Sequence, residues 1–191
     1  MKAKFIVSPT IKSSDGGVER VRTDMLMLTK IEGMGLGAGP RAVDELMQGE
    51  ISARIAEKDF RGALGRTLVI KAGDPYPAEN VLMIGLGRAA SFDPCALVKV
   101  VETAVGKALA RKCSRLTVPI VANRMTALNI NLRGTAHIIR LVAERKLAEV
   151  DEDGTLEIEI LCTSQAKRHI DEGLAIPCRS KEVVCCKGAD E

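Results

Sequence analysis

The stretch "ENVLMIGLGRAASFDPCALVKVVETAVGKALARK", residues 79–112, limits the fold more than any other feature of the sequence. An apolar run ends in Gly85-Leu86-Gly87-Arg88, and a strongly patterned segment follows. Asp93 is a natural N-cap, and Pro94 suits the first helical position, where a missing N–H costs nothing. Leu97, Val101, Ala104, Val105 and Ala108 then recur at helical spacing, so one face is continuously apolar. A buried strand, a glycine turn and an amphipathic helix in this order describe one unit of an α/β fold.

The same alternation runs along the chain. Residues 4–7 and 23–31 read as strands, with turn chemistry between them at Asp15-Gly16-Gly17. Gly33, Gly35, Gly37 and Gly39 make a flexible loop before a helix over about 40–57, with Val43, Leu46, Met47, Ile51 and Ile55 near one face. "RTLVIKA" and "NVLMIG" read as neighbouring strands joined by "GDPYP". "SRLTVPIVA" lacks polar alternation, as expected of a strand covered on both faces. Asn131 caps a second long helix. "TLEIEILC" alternates, which points to one wetter face or an edge. A last helix starts near Thr163 and stops at Gly173. Helices that recur between strands require a mixed sheet with a substantial parallel part. The expected fold is a three-layer α/β/α sandwich, a single domain over 1–176 with a polar tail over 177–191.

Composition narrows the function. At 191 residues the chain buries roughly 70% of its unfolded surface and needs no staples. With no Trp, one Tyr and three Phe, the core must be aliphatic, and stacking on single-stranded nucleic acid lacks its aromatic platform. The net charge is +3 and the basic residues are interspersed with acids, so no stripe for nucleic acid forms. No segment approaches the roughly 20 apolar residues that span a bilayer. Cys95, Cys113, Cys162, Cys178, Cys185 and Cys186 form neither a Cys-x-x-Cys pair nor a zinc spacing. These features fit a reduced, cytoplasmic protein without a cofactor.

Familiar catalytic signatures do not occur: no His-Glu-x-x-His, no Gly-x-Ser-x-Gly, no Gly-x4-Gly-Lys-[Ser/Thr]. His137 and His169 each fall within an expected helix among charged neighbours, which suits surface or boundary roles. Asp151-Glu152-Asp153 reads as a solvated turn, because Gly154 comes too early for a calcium loop. The glycines at 33–39 are spaced Gly-x-Gly-x-Gly-x-Gly, not as the dinucleotide fingerprint. "IGLGR" allows two readings. One is a bend needing positive φ and close backbone packing at Gly85 and Gly87. The other is a small-anion site in which backbone amides and Arg88 receive a phosphate at the end of a strand.

Three segments, "GEISARIAEKDFRGALGRTLVI", "PAENVLMIGLGR" and the helix opening at "FDPCAL", together with Thr23-Asp24, resemble the N-terminal domain of the leucyl (cytosol) aminopeptidase family, peptidase family M17. The resemblance covers about residues 20–165, and "DFRGALGRTL" followed by "VLMIGLG" is its most specific part. It implies a macro-domain-like fold. It also implies that catalysis, with two metal ions, belongs to a separate C-terminal domain whose Asn-Thr-Asp-Ala-Glu-Gly-Arg-Leu segment is missing here, so no catalytic or metal-binding residue carries over. The chain is then a free-standing relative or a piece of a longer protein, and the polar tail favours the former. N-terminal domains of the family help build oligomers, which implies self-association or contact with a peptidase partner. Macro domains often bind ADP-ribose through a glycine-rich loop. The corresponding stretch, "TVPIVANRMTALNINLRG", carries Asn123, Arg124 and Met125 instead, so a nucleotide-like ligand would meet Asn123 and Arg124 together with Gly85, Gly87 and Arg88.

Overall fold

The computed structural model describes residues 1–10, 17–72, 76–120, 130–150 and 153–177. Six strands form one sheet: β1 (Lys2–Ser8), β2 (Met25–Lys30), β3 (Thr67–Lys71), β4 (Asn80–Gly85), β5 (Arg115–Pro119) and β6 (Thr155–Leu161). Their order is β1-β6-β5-β2-β4-β3. Every neighbouring pair is parallel except β3 with β4, a hairpin at one edge. The described helices are α1 (Ala38–Leu46), α2 (Glu50–Glu57), α3 (Pro94–Ala110), α4 (Leu132–Ala148) and α5 (Ser164–Leu174).

The period of two along each strand sorts side chains between two cores. Met25, Met27, Leu82, Ile84, Leu116, Val118, Ile158 and Ile160 point to the face covered by α3, α4 and α5. Leu26, Leu28, Val81, Met83 and Ile70 point to the other face, against Val43 of α1 and Ile51 of α2. With both faces covered, β2 is apolar over 25–28 and β4 over 81–84, as a doubly covered strand must be. A fully buried Leu, Ile or Val contributes roughly 1.5–3 kcal/mol, and the cores are built from such residues because aromatics are scarce. The structure is thus the expected α/β/α sandwich.

Local rules set the helix starts. Asp93, Asn131 and Thr163 each accept a hydrogen bond from the backbone N–H three residues on, at Ala96, Gly134 and Ala166. Two expectations need correction, and one open alternative is resolved. The helix expected over 40–57 is two helices, because Gln48 and Gly49 take φ of 55° and 84° and end α1. Asp44 then receives the Ser52 amide at 3.0 Å and the Ser52 hydroxyl, which tethers the first turn of α2. Gly173 does not stop α5; it lies inside it, where a Cβ would be 2.8 Å from Ala136 Cβ and collide with the Arg133 carbonyl of α4. The alternation of β6 marks a wetter face, not an edge, since β6 lies between β1 and β5. On that face Glu157 sits between Lys4 and Arg115, and Glu159 accepts from the Ser8 and Thr117 hydroxyls.

Candidate functional site

The parallel register brings separate pieces of sequence together at each end of the sheet. Lys30 pairs with Gly85 and Thr67 with Ile84, so the loops 31–37, 62–66 and 86–91 meet at the carboxyl edge. Met25 pairs with both Asn80 and Leu116, so residues 22–24, 76–79 and 114–115 meet at the amino edge.

At the carboxyl edge the Gly-Leu-Gly turn is stitched to its neighbours by backbone. Gly85 N–H donates to the Arg66 carbonyl at 2.9 Å, Leu86 N–H to Lys30 at 2.9 Å and Gly87 N–H to Gly62 at 2.9 Å. In return Gly85 O accepts from Gly65, and Gly87 O from Glu32. A Cβ on Gly85 would lie 2.6 Å from Gly62 O and closer still to Ala63 O, so no other residue fits. Gly87 takes φ of 70°, where an L side chain is strained, and a Cβ there would be 3.2 Å from Leu64 Cβ. "DFRGALG" and "IGLG", far apart in sequence, are therefore two halves of one backbone clasp. An anion arriving here finds the three amides already donating. The Arg88 guanidinium is exposed and has no hydrogen bond or ion pair among the described residues. Asn123 and Arg124 lie outside the described residues.

The amino edge holds an open cleft of about 740 Å³ lined by Arg22, Asp24, Tyr76, Glu79, Ser114 and Arg115 among others. Its floor is ordered by Asp24, whose carboxylate accepts the Ser114 amide at 2.6 Å, the Ser114 hydroxyl at 2.7 Å and the Arg115 amide at 3.1 Å. Burial raises the pKa of this carboxyl, but the bonds from Ser114 and Arg115 and the Arg115 charge outweigh it, and the net shift is downward. Thr23 donates from its hydroxyl to the Met25 and Arg115 carbonyls, and the Tyr76 hydroxyl to Val18 O. Thr23-Asp24 thus splices the start of β2 to the start of β5. This cleft is invisible in the sequence, because its walls come from three segments that only the register joins.

The other flagged residues stay apart from both edges. His137 lies on α4, with its Nδ1 buried and without a hydrogen bond among the described residues. His169 is exposed on α5, 4.0 Å from Glu172. Cys113 and Cys162 are buried, and burial pushes both thiols up, away from thiolate chemistry. Among the described residues no three His, Cys, Asp or Glu side chains group to hold a metal ion.

The N-terminal domain of the cytosol aminopeptidase family matches residues 27–147, the span that contains the clasp, α3 and α4. The chain belongs to this family. Relatives include probable cytosol aminopeptidases of Cupriavidus taiwanensis, 32% identical over 94 residues, and Azotobacter vinelandii, 26% identical over 162 residues. These segments cover 49% and 84% of the chain but only 18% and 30% of the relatives, so the chain corresponds to a minor part of their length. Among solved structures, an Oceanobacillus iheyensis macrodomain mutant superposes with a TM-score of 0.66 at 14% identity, covering 90% of each chain. A Trypanosoma brucei macrodomain in complex with ADP-ribose gives 0.66 at 15% identity, over 89% of this chain and 68% of that one. A tomato leucine aminopeptidase mutant gives 0.59 at 16% identity, over 90% of this chain and 36% of that one. At these identities the likeness is one of fold: macro-domain-like. No described helix is long and apolar enough to cross a membrane.

Proposed function

We propose that this chain is a non-catalytic assembly or regulatory domain of the cytosol aminopeptidase family, acting through self-association or contact with a peptidase. The observation that carries this reading is the clasp. In open α/β sheets ligands collect at the carboxyl ends of strands, and here the amides of Gly85, Leu86 and Gly87 are already donating to protein carbonyls. Glycines so placed serve the fold. The match to an N-terminal domain adds that the relatives' names describe much longer proteins. Light scattering across a concentration series, alone and with the cytosol aminopeptidase of Pseudomonas aeruginosa, tests the reading. A mass above that of the 20.5 kDa chain, or co-elution with the enzyme, is expected. A monomer at every concentration that ignores the peptidase would overturn it.

A second reading, a binder of a nucleotide or ADP-ribose-like anion, is favoured by Arg88, unpaired among the described residues, and by the fold shared with a macrodomain solved with ADP-ribose. Asn123 and Arg124, outside the described residues, are with Gly85, Gly87 and Arg88 the ligand residues of this reading. Calorimetry with ADP-ribose on the native chain and on Arg88→Ala separates the readings. Saturable heat lost in the variant supports the binder; no heat at millimolar ligand removes it.

A further inference from the structure

Charge is distributed unevenly in the amino-edge cleft. Among the described residues four charged side chains line it. Two are occupied by the fold: Asp24 by Ser114 and Arg115, and the Arg115 guanidinium by Glu157. The other two, Arg22 and Glu79, are exposed and make no hydrogen bond or ion pair through their side chains among the described residues. Yet their backbones are fixed. Glu79 N–H donates to Thr23 O at 3.0 Å, and the Glu79 carbonyl accepts from Ala72, so Glu79 is pinned beside the residue that follows Arg22.

The cleft volume, about 740 Å³, falls within the range of roughly 300–1,000 Å³ found for small-ligand sites. A simple anion drawn to Arg22 would meet Glu79 and Asp24 as like charges, and a simple cation drawn to Glu79 would meet Arg22 and Arg115. A molecule carrying both signs avoids both conflicts. We propose that this cleft binds a small zwitterion, a free α-amino acid or a short peptide, with its carboxylate on Arg22 and its ammonium on Glu79. Both side chains are exposed, so each ion pair is worth about 1 kcal/mol or less, and the Kd is on the order of 30 mM.

Amide NMR titration of the full chain tests this with alanylalanine, which carries both charges, and with N-acetylalanine and alanine amide, which carry one each. Alanylalanine is expected to give saturable shifts at Asp24, Glu79, Ser114 and Arg115. The single-charge analogues should bind at least about fivefold more weakly, a difference of about 1 kcal/mol. Arg22→Gln and Glu79→Gln should each weaken alanylalanine by a similar factor. Since both side chains are exposed and unbonded, the remaining resonances of the variants report an intact fold. No saturable shift at these amides by about 300 mM, some ten times the expected Kd, would overturn the proposal. So would equal binding of N-acetylalanine or alanine amide, or variants that bind as the native chain does.

Discussion

The two ends of the sheet use the same parallel strands for opposite purposes. At the carboxyl edge, backbone meets backbone: Gly62, Gly65, Gly85 and Gly87 allow two loops to approach until their amides and carbonyls satisfy one another. At the amino edge, side chains make the junction: Asp24 and Thr23 bridge β2 to β5 through Ser114 and Arg115, and a cleft stays open beside them. Backbone junctions demand glycine and commit their amides to protein carbonyls. Side-chain junctions tolerate exchange and leave room. The difference explains why the glycine turn that looks most like a phosphate cradle holds its amides inside the fold.

Substitutions at the two ends sharpen this contrast. Gly85→Ala should be the most damaging, because the added carbon falls on the carbonyls of residues 62 and 63; a loss of about 3 kcal/mol or more, or failure to fold, is expected in urea unfolding. Gly87→Ala keeps the turn but forces a left-handed L residue against Leu64, for a loss of about 1–2 kcal/mol by the same measurement.

At the other end, Asp24→Ala leaves three donors without their acceptor. Water reaches part of this site, so a loss of about 1 kcal/mol is expected. The same carboxylate sets a pH dependence. Its pKa is lowered in the folded chain, so its stabilisation is fully present above the unfolded value, about pH 3.9, and is lost as pH falls through the lower folded value. Asp24→Asn should flatten that acid limb, read as the urea midpoint against pH. Arg88→Ala should change stability by less than about 0.5 kcal/mol, because the side chain is exposed and unbonded among the described residues. A larger loss there would place Arg88 in the clasp.

The sequence made the element order legible where a local rule governs it. Asp93-Pro94, Asn131 and Thr163 announce their helices through capping chemistry, and the apolar run at 81–84 announces a strand covered on both faces. What stayed hidden depends on contacts between distant segments. Gly173 looks like a stop signal, yet it serves the approach of α5 to the Arg133 carbonyl of α4. The wet alternation of β6 reads equally as an edge, until its pairing with β1 at the far end of the chain is known. The break at Gln48-Gly49 was present as a glycine after a helical run, but an apolar pattern continuing to Ile51 and Ile55 obscured it. Of the candidate site, Gly85, Gly87 and Arg88 were readable as a turn, whereas the 62–66 loop that fills it, and the cleft at the opposite edge, required the register.

Amide hydrogen exchange of Gly85, Leu86 and Gly87, with and without ADP-ribose, tests the central claim most directly. If these N–H groups belong to the fold, all three exchange slowly, near the rate set by global unfolding, and the nucleotide leaves them unchanged. Fast exchange that slows when ADP-ribose is added would contradict the account and make the turn an anion site.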